Sequence, residues 1–577
     1  DIFDSPCYYL QQNDIVYVKN NNVKSNHLNL NVYSTYYFQV RSHNFKFMAG
    51  FQYEDYTTSN SGIKNVGVIN SDLAVIDLTT GYTYDGKPVA PSFWGNNASW
   101  ATAGYFARVN YDYDERYLFE ANIRYDGSSR FRAENRWAWF PSVSAGWNIA
   151  KEPFWESASR YVNTLKFRMS YGSLGNQNIG NWYPTYQKMG VYINNGAWLQ
   201  DGKATNTAYS PELISSSLTW ETIRSYNLGL DLGAFNNRLT SSFELYSRYT
   251  TNMIGPAQEL PSVLGASVPR TNNTDLRTYG FDFEVQWKDN LDCGLFYGIR
   301  FILSDNQTEI LRYPNDSKLL MTNGIYSYYP GSHVGDFWGL KTLGIAKTDQ
   351  EMKAHLATIP HGGQSWLGTD WRAGDIMYAD LDGNGVISME SGTLADHGDL
   401  IKLGNDQPRF QFGLDLNASW KGFDMRVFFQ GVGKRDFWPG YVAFWASSNQ
   451  NIWYMLGFEE HLDYFRNTPS GDLDVNLDSY YPRPLLNAKN QYMQTKYLQD
   501  ASYIRLKNFT FGYTIPQKYT QRIKVANLRL FFTGENLWTG TRLSSVFDPE
   551  GINGNDKISG IGYPIMKTWA CGLTITL

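Results

Sequence analysis

Residues 408–437 constrain the fold more than any other stretch of this chain. They read PRFQFGLDLNASW, then Lys421-Gly422, then FDMRVFFQGVGKRDF. In the first run Phe410, Phe412, Leu414, Leu416, Ala418 and Trp420 alternate with Gln411, Gly413, Asp415, Asn417 and Ser419. In the second, Phe423, Met425, Val427 and Phe429 alternate with Asp424, Arg426, Phe428 and Gln430. Period-two alternation sends one set of side chains to each face of a strand. Two such runs joined at a Lys-Gly pair predict a hairpin with one apolar and one charged face. Each run is about 13 residues long, against roughly 5–6 for an average strand. A strand tilted by about 45° needs roughly 9–11 residues to cross a bilayer.

Composition points the same way. Aromatic residues make up 16% of the chain (42 Tyr, 33 Phe, 19 Trp), yet mean hydropathy is −0.43. A soluble core this aromatic would carry more Leu, Ile and Val. A membrane barrel needs aromatic girdles at both interfaces and polar residues inside, so it reads as hydrophilic overall. No stretch approaches 18 consecutive apolar residues, which excludes membrane-crossing helices. A net charge of −5 with a pI near 5.9 speaks against nucleic acid as a main partner. Cys7, Cys293 and Cys571 show neither disulfide nor metal spacing. The chain opens on Asp1 with no basic-then-apolar leader, as expected of a mature or truncated chain.

Fifteen long strands are predicted, at 26–40, 45–57, 99–112, 115–127, 135–149, 162–174, 219–234, 237–253, 275–289, 293–305, 408–420, 423–436, 501–514, 525–541 and 565–577. Within 1–25 only 14–19 looks strand-like. Going back from the C-terminus, the connections alternate long and short; only 128–134 is brief for its side. Short periplasmic turns and long extracellular loops are the mark of an outer-membrane barrel. A soluble sandwich has no reason to gather its long loops at one end. A propeller would repeat every 40–50 residues or so, and neither that repeat nor a solenoid's is present. The predicted class is therefore an all-β, transmembrane antiparallel barrel. Single-chain bacterial barrels have even strand numbers, so an odd count predicts further strands before Asp1.

Several stretches resemble the SusC/RagA-type TonB-dependent transporters of the Bacteroidota outer membrane. They are 123–131 (IRYDGSSRF), 140–149 (FPSVSAGWNI), 167–176 (FRMSYGSLGN), 219–230 (TWETIRSYNLGL), 374–388 (GDIMYADLDGNGVIS), 404–429, 500–516 (DASYIRLKNFTFGYTIP) and 534–539 (GENLWT), followed by the last strand. The resemblance covers roughly 98–577 in the family's order. It implies a 22-stranded barrel, a size associated with plugged transporters. On this basis 1–577 is a barrel portion with 306–407 as a long extracellular insertion, preceded by an N-terminal extension, a TonB box, a plug and about seven strands. It also implies a SusD-like surface lipoprotein as lid, the TonB complex as energiser, and a dimer of transporter–lid pairs in the outer membrane of a Gram-negative, Bacteroidota-type bacterium. The cargo would be oligosaccharides or peptides. A passive porin or adhesin barrel is the alternative, and a surface glycoside hydrolase a third. The family's closing residue is usually aromatic, whereas Leu577 is aliphatic.

One local motif suggests a metal. Asp380, Asp382 and Asn384 with Gly385, the Val386 carbonyl and then Ser388 match the start of an EF-hand-like loop, so 380–391 is a candidate structural Ca²⁺ site. Its usual twelfth-position acid is replaced by Ser391, with Glu390, Asp375 or Asp396 as substitutes. The plainer reading is an Asx/Gly turn. His333, His355, His361 and His397 lack zinc spacing and are expected to be solvated. Inward positions including Asp282, Glu284, Arg300, Asp415, Asp424, Arg426 and Glu535 would form a hydrophilic path for cargo. Loop aromatics Trp94, Trp182, Trp198, Trp366, Trp371, Trp445 and Trp453 could stack on sugars, although loop packing explains each as well. Residues 349–356 have helical spacing. No Walker loop, G-x-S-x-G elbow, H-E-x-x-H or nucleotide fingerprint is present, so no enzyme activity is expected.

Overall fold

In the computed structural model, residues 16–577 are described except 84, 179, 188, 193–194, 209–212, 216, 256–268, 322–325, 447–456 and 553–564. The first six long strands are β1 (Tyr17–Val40), β2 (His43–Val66), β3 (Ser92–Tyr113), β4 (Tyr117–Ser128), β5 (Trp137–Asn148) and β6 (Val162–Asn176). There follow β7 (Glu221–Ala234), β8 (Leu239–Ile254), β9 (Asn272–Asn290), β10 (Phe296–Arg312) and β11 (Arg409–Trp420). The last are β12 (Phe423–Lys434), β13 (Tyr503–Thr514), β14 (Asn527–Thr541) and β15 (Thr568–Thr576). They form one 15-stranded sheet whose spatial order follows the chain. Each neighbouring pair is antiparallel.

All fifteen predicted strands form. Several run further than alternation suggested, β3 from Ser92 and β10 to Arg312 among them; the longest are the first two, where β1 begins at Tyr17 and β2 ends at Val66. At 24 residues each they are about twice the length that crosses a bilayer. Their outer ends are rich in Asn, Ser and Lys. A ladder standing in water needs no apolar face, so its sequence carries no alternation to read. The Lys421-Gly422 turn has φ values of 48° and 91°, the two positive angles of a type I′ hairpin. Phe410 breaks the alternation at the other end, with φ 53°. The predicted short helix is Asp349–Thr358, capped by the Thr348 hydroxyl accepting from the Glu351 amide at 3.1 Å. No helix among the described residues is long and apolar enough to cross a membrane.

Side chains of directly paired residues share a face, so the register traces each surface across the sheet. Val32 faces Phe51, Phe51 faces Tyr105, Tyr105 faces Tyr125 and Tyr125 faces Trp139. Further on, Met169, Leu228, Leu245 and Phe281 form a row, as do Phe283, Leu303 and Phe412. This face is bare. Tyr105 is 57% exposed, Trp139 61%, Leu245 46% and Leu573 55%. No second sheet or helical layer covers it among the described residues, and a soluble monomer rarely exposes an apolar patch beyond a few hundred Å².

The large buried core lies elsewhere, in the connections 313–408, 435–502 and 542–567 on the long-loop side. There Phe337, Leu340, Ile376, Tyr378, Leu400, Phe444 and Tyr497 are wholly enclosed, with Leu543, Phe547 and Ile552 packed among them.

Hydrocarbon is the solvent this bare face requires. Leu245→Arg should cost about 2–4 kcal/mol, read as a lower urea midpoint in lipid vesicles. Glu244→Gln, one residue away on the opposite face, should shift it by less than about 1 kcal/mol. Equal, small shifts for both would mean that lipid does not touch Leu245.

Candidate functional site

The face opposite the apolar one is lined with polar residues. Asp282, Glu284, Asp415 and Arg426 all lie on it, as alternation requires. Glu284 accepts from Arg300 at 2.8 Å, Asp415 accepts from Arg426 at 2.6 and 3.1 Å, and Asp424 accepts from Arg529 at 2.5 and 2.9 Å. Arg300 and Asp415 are directly opposed in the register, which joins the first two pairs. Towards β6, Arg168 donates to Asp231 and Glu244 at 3.0 Å each and to Ser242 at 3.3 Å. A 670 Å³ hollow opens beside it, lined by Lys46, Asn110, Glu120, Lys166 and Asn227 among others. These groups are partly solvated, so each pair adds only about 0–1 kcal/mol. Their effect is to hold a water-wetted wall of alternating sign.

Over one end of this wall the three long connections pack into a single cap. Backbone bonds tie the first to the second: the Leu340 amide donates to the Met493 carbonyl at 2.8 Å, and the Thr495 amide returns to Leu340 at 3.0 Å. Glu460 accepts from Ser544 and Ser545, joining the second to the third. Arg505 and Lys507 on β13 reach Asp548 at 2.8 Å and Glu550 at 2.9 Å.

The cap also holds a buried charge cluster that local spacing gave no sign of. Asp375, fully buried, accepts from Arg483 at 2.7 and 2.8 Å and from Asn490 at 2.9 Å, and lies 3.0 Å from the buried Lys489 ammonium. Burial opposes ionisation of Asp375, but the bonds from Arg483, Asn490 and Lys489 outweigh it and hold the carboxyl below its ordinary range. Asp375 is thereby committed here and takes no part in the Asp380 loop.

In that loop Asp380 accepts from the Gly383 and Gly385 amides at 2.7 and 2.9 Å, Asp382 from the Asn384 amide at 3.0 Å, and Asn384 from the Val386 amide at 2.9 Å. These are the bonds of an Asx/Gly turn. The Ser388 hydroxyl donates to Glu390 at 2.6 Å. Asp396 caps the Ser391 turn instead. The third acid is one that sequence reading missed: Asp399, wholly buried, accepts from the Leu381 and Ser388 amides at 2.6 and 2.9 Å. One oxygen from each of Asp380, Asp382 and Asp399 lies within 4.8 Å of the others. Burial first, then the two neighbouring carboxylates, push the Asp399 carboxyl up. Three hard oxygens this close suit a divalent cation. Asp399 stands 19 positions beyond Asp380, outside the reach of a twelve-residue loop pattern.

Most of the loop tryptophans pack against neighbouring groups. Trp371 donates to the Gly368 carbonyl at 2.9 Å, and the Lys489 ammonium lies 4.6 Å from its ring centre. Trp366, 39% exposed, meets the Tyr492 ring edge-on at 5.0 Å. Trp445 is in the cap core, Trp94 and Trp182 contact Asn21 and Tyr56, and Trp198 is exposed. Trp453 lies outside the described residues. His355 bonds Gln364 and His361 bonds the Asn384 carbonyl.

A long meander with one apolar face, one charged face and a loop cap on one side defines a large membrane β-barrel of the outer-membrane type. The chain belongs to the TonB-dependent receptor-like β-barrel family, whose model, described as "TonB dependent receptor-like, beta-barrel", matches residues 4–537. TonB-dependent receptor P3 of Formosa agariphila is 27% identical over 575 residues, covering 94% of this chain and 51% of that protein. TonB-dependent receptor SusC of Bacteroides thetaiotaomicron is 27% identical over 474 residues, covering 82% and 43%. The structure of the RagAB peptide transporter has the same fold, with a TM-score of 0.74 at 22% identity, covering 97% of this chain and 56% of that one. The chain thus spans about half the length of the curated relatives it matches.

Asp375→Asn leaves the buried Lys489 and the partly buried Arg483 without their counter-charge and should cost the cap about 3–5 kcal/mol, seen as faster proteolysis within 313–408 and 435–502. The same carboxyl sets a pH dependence. Its folded-state pKa is depressed, so its ionic stabilisation is complete above the unfolded value of about 3.9 and is lost as pH falls through the lower folded value. The contribution of Asp375 to protease resistance of the cap should therefore be constant between roughly pH 5 and 7, and the parent-minus-variant difference should shrink only in stronger acid.

Proposed function

We propose that this chain is the barrel portion of an energised outer-membrane importer. It passes polar oligomers, oligosaccharides or peptides, along its charged inner wall. The observation that carries this reading is the wall itself: Arg168, Arg300, Arg426 and Arg529 are each held by carboxylates across six or more strands. Such a surface solvates a hydrogen-bonding cargo and gives no foothold to an apolar one. Asp282, Glu284, Asp415 and Arg426 are its path-lining residues; Trp366 and Trp371, within the cap, act on cargo only from the loop side. A SusD-like surface lipoprotein seated on the cap captures the cargo, and the TonB complex supplies the energy. Family membership and the relatives named SusC and RagAB support this reading. In cells carrying the intact gene, fluorescent peptides or oligosaccharides larger than the porin limit should accumulate in the periplasm. Deletion or a protonophore should each abolish that uptake. Uptake that survives the protonophore is the behaviour of a passive porin and would overturn the energised mechanism.

We also propose that the 380–391 loop holds a structural Ca²⁺, with Asp380, Asp382 and Asp399 as its carboxylate ligands and Asn384, the Val386 carbonyl and Ser388 as the further oxygens nearby. The cation would supply charge neutralisation to three crowded acids. Asp380→Ala with Asp382→Ala should raise protease nicking between Ile345 and Asp406, and a chelator should do the same to the parent. A digestion pattern indifferent to both leaves the loop a hydrogen-bonded turn.

A further inference from the structure

The apolar outer face carries arginines where a hydrocarbon surface has no use for them. They gather at the loop-side ends of β7 to β11. Two are neutralised: Arg312 donates to Asp275 at 2.8 and 3.0 Å, and Arg409 to Asp305 at 2.5 Å through two nitrogens. Two are not. Arg224 and Arg277 are the register partners of Tyr249 on its two sides, so the three stand in one row across β7, β8 and β9. Arg277 lies over the Tyr249 and Tyr279 rings, 5.6 and 5.0 Å from their centres, and reaches the Ser247 hydroxyl at 3.4 Å. The row continues to Glu309 on β10, the register partner of Arg277, yet neither Arg224 nor Arg277 forms an ion pair with a carboxylate among the described residues.

Directly below this row the same face is hollowed. A cavity of 760 Å³ is walled mainly by Met169, Tyr171, Leu228, Leu245 and Phe281, with Arg277 and the Asp305–Arg409 pair also on its lining. An apolar hollow facing hydrocarbon that stays empty forfeits dispersion contacts on one side. Arginines at the membrane interface extend their charge to the headgroup level, and tyrosines settle there with them. Two strand spacings, roughly 9–10 Å, separate the Arg224 and Arg277 backbones. Guanidinium arms of ordinary length converge on one phosphate across that gap, with charge-assisted bonds.

We propose that this is a lipid site: it takes a phosphate-bearing lipid, its phosphate between Arg224 and Arg277 and its acyl chains in the hollow beneath. Cation–π contact with Tyr249 and Tyr279 orients Arg277 before the lipid arrives. The site rests on the reading of this face as membrane-embedded and adds a specific ligand to it. It lies on the long-loop side, so the lipid belongs to the leaflet under the cap.

Native mass spectrometry of the intact protein, purified from its membrane in detergent, tests this with three probes: phosphatidylglycerol, diacylglycerol with the same chains, and glycerol phosphate. Phosphatidylglycerol should stay bound while the other two leave, and Arg224→Gln with Arg277→Gln should cut its retention by roughly tenfold or more. Lys24→Gln, on the same face of β1, should leave retention unchanged, and unaltered gel mobility without heating should show that each variant is folded. Retention that is equal in the double variant, or equal for diacylglycerol, overturns the site while leaving the membrane reading intact. A protein that stays soluble without detergent overturns both.

Discussion

Every polar group of a backbone in hydrocarbon must find its partner on a neighbouring strand, because no water is there to serve instead. That requirement produces the unbroken antiparallel order from β1 to β15. It also removes any freedom in which way side chains point. Within the membrane span one residue in two meets lipid and the next meets the lumen, except where a bulge such as that between Phe428 and Phe429 shifts the register.

A barrel of this kind has no apolar interior, so large folded connections must bring a core of their own. The three long loops do this jointly. Residues from 313–408, 435–502 and 542–567 share one enclosed aromatic cluster, and Asp375 from the first loop is neutralised by Arg483 and Lys489 from the second. Removing any one loop would leave either apolar surface or charge without its partner. The cap is therefore a single body.

Arginine does three different things here, and the surroundings decide which. On the inner wall its ion pairs are wet and nearly neutral in energy, so they shape a polar lining more than they stabilise it. In the cap Arg483 faces a fully buried carboxylate, and breaking that pair strands charge in a dry interior. On the outer face Arg224 and Arg277 have aromatic neighbours and form no ion pair, although Glu309 opposes Arg277 in the register. There the counter-charge assigned to them is a lipid phosphate.

The alternation of residues such as Phe412, Leu414 and Leu416 with Asp415 and Asn417 was enough to place every barrel strand and to assign Asp282, Glu284, Asp415 and Arg426 to the polar face. Period two is local: each residue's face follows from its neighbour's, and no distant contact is consulted. The Asp380 loop was legible to the same extent, since Asp380, Asp382 and Asn384 make their turn bonds within five residues. What lay beyond local reach was decided only by tertiary structure. Asp399 joins Asp380 from 19 positions away, Arg483 meets Asp375 from 108, and Arg224 and Arg277 share Tyr249 across three strands. Strand geometry is written in adjacent residues, whereas a charge cluster or a lipid hollow exists only after separate segments have been brought together by burial and register.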